Sequence, residues 1–86
     1  MEHAEIIKRV NTTLIEGFEI PAEKLTPDAT LFEGLGLDSL DAIDMLVYLE
    51  ENFGIKVQGE VFKDIRTLDD VYRLVGTLAK SAEGNA

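Results

Sequence analysis

Ser39, in the run Gly36-Leu37-Asp38-Ser39-Leu40-Asp41, is the side chain of this sequence best placed to take part in chemistry. A long stretch carrying glycine and proline ends there, and a helix-period run to Phe53 begins. A hydroxyl at such a junction is exposed and held in one place. Asp38 suits the N-cap, where a carboxylate accepts hydrogen bonds from free backbone N–H groups at the positive end of the helix dipole. That leaves Ser39 uncommitted. For Ser39 to be a nucleophile in its own right it needs an adjacent base. The sole histidine, His3, stands near the start of the chain, and the flanking residues are not Gly-x-Ser-x-Gly. With no cysteine and one histidine a zinc site has too few ligands. The acidic residues do not alternate as a calcium loop requires, and no Gly-x-x-x-x-Gly-Lys phosphate cradle occurs. These residues predict no catalytic set and no metal. They suit a serine that another enzyme modifies.

The elements that must hold this serine follow from apolar spacing. Ile6, Ile7, Val10 and Leu14 recur three and four apart, which predicts an amphipathic helix from Glu5 to Ile15, ended by Gly17 and Pro21. Residues 17–37 form a long connection, with Leu25, Leu31, Phe32 and Leu35 as its expected anchors in the core. Such a length in a small domain implies a loop that packs or functions. The second helix is expected from Ser39 to Phe53, with Gly54 as its stop. A short helical turn is expected within Gly59 to Asp64. A last helix is expected from a Thr67 cap, with Asp70 three residues on and Leu68, Val71, Tyr72, Val75 and Leu78 facing the core. Residues 81–86 read as a frayed tail. Ile55-Lys56-Val57 alternates but is too short to make a sheet. The fold class is therefore all-α: one domain over residues 1–86, a small bundle of three main helices plus one short helix.

The second helix carries two apolar arcs. At about 100° per residue, Ala42, Met45, Leu46, Leu49 and Phe53 share one side. Leu40, Ile43 and Val47 share the other, with Asp44, Glu50 and Glu51 on or beside them. Three short helices cannot enclose a fourth surface, so the second arc is expected to form an exposed apolar strip edged by carboxylates. Strips of this kind mark protein contacts.

Charge points the same way. The 86 residues carry a formal charge of −9, and from Leu25 through Ile55 there is no lysine or arginine. Nucleic acid is excluded as a partner, because phosphate contacts need clustered cations. Basic protein surfaces are the natural complement. No stretch is long and apolar enough for a membrane span, and the acidic first residues lack the order of a signal peptide. A soluble, cytoplasmic monomer is the expectation.

Leu35-Gly36-Leu37-Asp38-Ser39-Leu40-Asp41, Leu49-Glu50-Glu51-Asn52-Phe53-Gly54-Ile55 and Thr67-Leu68-Asp69-Asp70-Val71 resemble the acyl carrier protein family. The likeness runs from the first helix to Leu78. It implies that Ser39, flanked by Asp38, is joined to 4′-phosphopantetheine taken from coenzyme A by a phosphopantetheinyl transferase. The thiol of that arm then carries acyl groups as thioesters, which explains thiol chemistry in a chain without cysteine. The resemblance further implies docking of acyl synthases, reductases, dehydratases or acyltransferases, through basic patches, on Leu40, Asp41, Ile43, Asp44, Val47, Glu50 and Glu51. It implies an acyl pocket lined by Phe32, Met45, Leu46, Leu49, Phe62, Ile65, Leu68 and Val71. The sequence departs from many fatty-acid carriers in having Phe62 where they have alanine and Gln58 where they often have proline. Phe62 either narrows the pocket, weakening the shelter of long acyl chains, or simply fills core. The served pathway is fatty-acid synthesis or a specialised lipid or polyketide route. A peptidyl carrier fits less well, since it usually shows Gly-Gly near the serine and less acidity. An unmodified adaptor that only binds proteins is the remaining alternative.

Overall fold

The computed structural model describes residues 2–58 and 63–84, the last four of these through their backbone alone. Three helices, α1 (His3–Phe18), α2 (Ser39–Phe53) and α3 (Leu68–Gly84), pack around one core, and a 3₁₀ turn spans Ala22–Lys24. There is no strand among the described residues; one isolated antiparallel bridge joins Thr30 to Thr67. The fold class is all-α, as the spacing predicts. The expected short fourth helix is not matched: residues 59–62 lie outside the described residues, and three α-helices are present among the rest.

Each helix buries the face its sequence spacing defines. Ile6, Val10 and Leu14 of α1, Ala42, Met45, Leu46 and Leu49 of α2, and Leu68, Val71, Tyr72, Val75 and Ala79 of α3 are buried together. Each large apolar side chain removed from water contributes about 1.5–3 kcal/mol, so this shared core fixes how the helices lie. α1 runs past the expected stop. Gly17 stays helical, and the chain turns at Glu19, which takes a left-handed φ of 56° while its N–H reaches the Leu14 carbonyl. Ile20, buried behind that turn, closes the end. α3 likewise continues to Gly84, so residues 81–84, expected to fray, are helical, while residues 85–86 lie outside the described part.

The long connection is part of the core rather than a tether. Leu31, Leu35 and Leu37 are buried. Its backbone bonds to the start of α3: the Leu31 N–H donates to the Arg66 carbonyl at 2.9 Å, and the Leu68 N–H to the Ala29 carbonyl at 3.0 Å. The Asp69 N–H donates to the Pro27 carbonyl at 2.9 Å. Loop carbonyls thus satisfy two of the N–H groups that a helix leaves open at its N-terminus. Phe32 is a correction. It was expected as a core anchor, yet it is 44% exposed. Leu31 and Leu35 point inward and fill the space, and the intervening side chain is turned out.

Candidate functional site

Ser39 is the first residue of α2 and is exposed. Its position is fixed from both sides. The Asp38 carboxylate accepts the Asp41 N–H at 2.8 Å, and the Asp41 carboxylate accepts the Asp38 N–H at 3.3 Å, a reciprocal capping box. The expectation that Asp38 caps the helix is met, and the Ser39 hydroxyl makes no bond among the described residues. Below it, the Leu37 N–H donates to the Leu31 carbonyl at 3.1 Å, which ties the approach to the serine onto the buried loop. Gly36 has a φ of 73°, and a Cβ added there would meet nothing within 4 Å.

Among the described residues nothing accepts the Ser39 and Leu40 N–H groups at the N-terminus of α2, as is usual at helix starts. A phosphodiester on the Ser39 oxygen would lie at these donors and at the positive end of the helix. The residues present fit such a group. The carboxylates oppose it: Asp38 and Asp41 flank it, and Asp41 shares a recess of roughly 310 Å³ with Glu16 and Glu19. An enzyme that adds an anion here must bring a cation or basic side chains.

The second arc of α2 is outside the core. Leu40 is 72% exposed, Ile43 55% and Val47 44%, with the Asp44 and Glu51 side chains exposed beside them. Two of the expected docking carboxylates have inward duties. Asp41 is half-buried in its capping box, and half-buried Glu50 accepts the Val57 N–H at 2.8 Å. Tyr48, exposed on the flank of α2 that faces α1, was missed by sequence reasoning. It is 42% exposed and meets Phe18 edge-on, with ring centroids 5.7 Å apart. At about 100° per residue it lies roughly 80° round the helix from Leu40, on the side toward α1 rather than on the strip.

The far end of α2 is held by α1. No basic residue stands in the last turn of α2. The Arg9 guanidinium takes that place, donating to the Asn52 carbonyl and lying 4.5 Å from the centre of the Phe53 ring. A cation there complements the negative end of the helix. The Asn52 side chain donates to the Tyr48 carbonyl at 2.9 Å and to the Thr13 hydroxyl at 3.3 Å.

The expected acyl-pocket residues divide. Met45, Leu49, Leu68 and Val71 are fully buried, and Leu46 and Ile65 nearly so. Phe62 lies outside the described residues. Phe32 instead lines an open groove of about 500 Å³ with Thr30, Glu33, Lys63, Ile65 and Arg66. No helix is long and apolar enough to cross a membrane, and no group of acidic or histidine side chains could hold a metal, among the described residues.

Comparison with known proteins matches residues 8–75 to the family described as "Phosphopantetheine attachment site". The chain is 41% identical over 78 residues to acyl carrier protein 2 of Ralstonia nicotianae, covering 91% of this chain and 96% of that protein. It is 32% identical over 71 residues to the acyl carrier protein of Thermosynechococcus vestitus, covering 83% and 88%. Its fold superimposes on the crystal structure of an acyl carrier protein from Thermotoga maritima with a TM-score of 0.82 at 26% identity, over 95% of each chain.

Proposed function

The chain belongs to the phosphopantetheine-attachment family of acyl carrier proteins, and from that premise we propose that its Ser39 hydroxyl receives the arm. The observation that carries this reading is the exposed Ser39 hydroxyl between two reciprocally capping aspartates, beside two N–H groups that nothing accepts among the described residues. In the transfer, Ser39 Oγ forms a bond to the phosphorus that bears the pantetheine of coenzyme A. The pyrophosphate link of coenzyme A breaks, adenosine 3′,5′-bisphosphate leaves, and the serine proton passes to a base of the transferase. The bound arm supplies a thiol for thioester chemistry. This chain's own residues orient the attachment point and present the surface on which enzymes dock.

That surface is the strip Leu40, Ile43 and Val47, with the Asp44 and Glu51 carboxylates at its edge. A carrier must meet several enzymes and leave each one. A small apolar strip rimmed by charge suits fast, weak association with basic patches. The enzymes served are those that extend, reduce, dehydrate or transfer acyl groups in fatty-acid synthesis or in a specialised lipid or polyketide route.

The test is intact mass before and after incubation with coenzyme A, magnesium and a broad-specificity phosphopantetheinyl transferase, with Ser39→Ala in parallel. The expected result is a gain of one phosphopantetheinyl group in the parent and none in the variant. A folded, unmodified parent that gains nothing would return the surface to the adaptor reading.

A further inference from the structure

The groove beside Phe32 has an apolar wall and a cationic rim. Phe32, 44% exposed, and Ile65 form the wall. Lys63 and Arg66, both exposed, stand at its edge. Neither side chain has a carboxylate partner among the described residues, whereas Arg73 is paired with Asp69. Glu33 lines the same groove and Asp64 is exposed next to Lys63. The nearby Asp70 carboxylate is already bound to the Arg66 and Thr67 N–H groups. Among the described residues the lining therefore holds two cations against one carboxylate, in a chain whose total charge is −9.

The groove is within reach of Ser39. Leu37 lies two residues from Ser39, at most about 7.6 Å away. Leu37 is hydrogen-bonded to Leu31, and Leu31 to Arg66, each a step of about 5.5 Å between neighbouring backbones. An arm of about fourteen bonds extends roughly 16 Å at backbone-like bond lengths, and its cargo reaches further. The phosphodiester is fixed to the serine oxygen and cannot travel to the groove. An anion at the far end of the cargo can.

We propose that this groove takes the free end of an acyl group that terminates in a carboxylate, with Phe32 and Ile65 against its methylenes and Lys63 and Arg66 at its charge. The proposal rests on Ser39 as the attachment site. Such binding would hold a dicarboxylic half-thioester in preference to a neutral acyl group of the same length.

The test loads the ¹⁵N-labelled protein with glutaryl or with pentanoyl cargo, from the coenzyme A thioesters and the transferase, and verifies each by intact mass. Amide spectra of the two forms are then compared. The expected result is that glutaryl cargo moves the Phe32, Ile65 and Arg66 amides and pentanoyl cargo does not. The movement is lost in Lys63→Gln/Arg66→Gln and kept in Arg66→Lys. Identical amide positions in the two loaded forms, or a shift that survives in the double glutamine variant, overturns the proposal while leaving Ser39 as the attachment site. A parent that gains no mass removes the attachment site and the proposal with it.

Discussion

Asp38 and Asp41 each accept the other's backbone N–H, at 2.8 and 3.3 Å, and Ser39 sits between them without joining the exchange. Fixing the helix start and offering a hydroxyl are therefore tasks of different residues. Asp38→Ala is expected to lower stability by about 1 kcal/mol, the usual cost of losing an N-cap. Ser39→Ala, at an exposed site outside the cap, is expected to stay within about 0.5 kcal/mol of the parent. Urea unfolding of both variants checks this. Equal losses would mean that Ser39 contributes to the cap.

The acidic residues of the docking face are not equivalent. Asp44 and Glu51 are exposed, whereas Glu50 holds the Val57 N–H at 2.8 Å. Asp44→Lys and Glu51→Lys are expected to slow arm transfer with little change in stability, and the defect should shrink as salt screens the field. Glu50→Ala is expected to cost about 1 kcal/mol of stability, since it removes a hydrogen bond to a charged acceptor at a half-buried site. Transferase kcat/KM at two ionic strengths, set beside the melting temperature of each variant, separates the two kinds of carboxylate.

The start of α3 gives the fold an acid-sensitive point. The Asp70 carboxyl is held below its ordinary value of 3.8 by the Arg66 N–H, then the Thr67 N–H, against a smaller opposing effect of burial. A carboxyl lowered on folding adds stability that is present above the unfolded pKa. That contribution is lost as pH falls through the folded value. The parent is therefore expected to lose stability faster than Asp70→Asn below about pH 4 and to show no such difference at neutral pH. Denaturant titrations across that range test it, and parallel profiles for the two proteins would argue against the role of Asp70.

Salt should act on the whole acidic face. Asp38, Asp41, Asp44, Glu50 and Glu51 crowd α2, and Glu16 and Glu19 face Asp41 across the recess. Screening weakens repulsion among exposed like charges, so the melting temperature is expected to rise with added sodium chloride or magnesium. A melting temperature indifferent to both would refute the claim.

Residues that act through local chemistry were legible in the sequence. Asp38 before Ser39, Gly54 after Phe53 and Thr67 with Asp70 announce their caps. The 100° spacing separates buried Met45 and Leu49 from exposed Leu40 and Ile43. What was hidden depends on contacts between distant segments. Phe32 has the composition of an anchor, but whether it or its neighbours Leu31 and Leu35 enter the core is decided by the bridge to Arg66. Arg9 reads as a surface cation until the fold brings it to the end of α2. The end of α1 misled for a related reason. Gly17 has the composition of a stop, yet Phe18 packs on Tyr48, and the helix closes one residue beyond that contact.

Glu19 carries the consequence of that closure. Its φ of 56° and ψ of 34° place a side-chain-bearing residue in the left-handed region, at a cost of about 1–2 kcal/mol. Glu19→Gly removes that strain but adds about 0.4–1 kcal/mol of unfolded-chain entropy. The net expectation is stabilisation of about 0.5–1 kcal/mol. Removal of a carboxylate facing Glu16 and Asp41 acts in the same direction, so Glu19→Gln serves as the control for charge. Unfolding free energies should rank Glu19→Gly above Glu19→Gln and both above the parent. A glycine variant no more stable than the glutamine variant would show that repulsion, not backbone conformation, is what this position relieves.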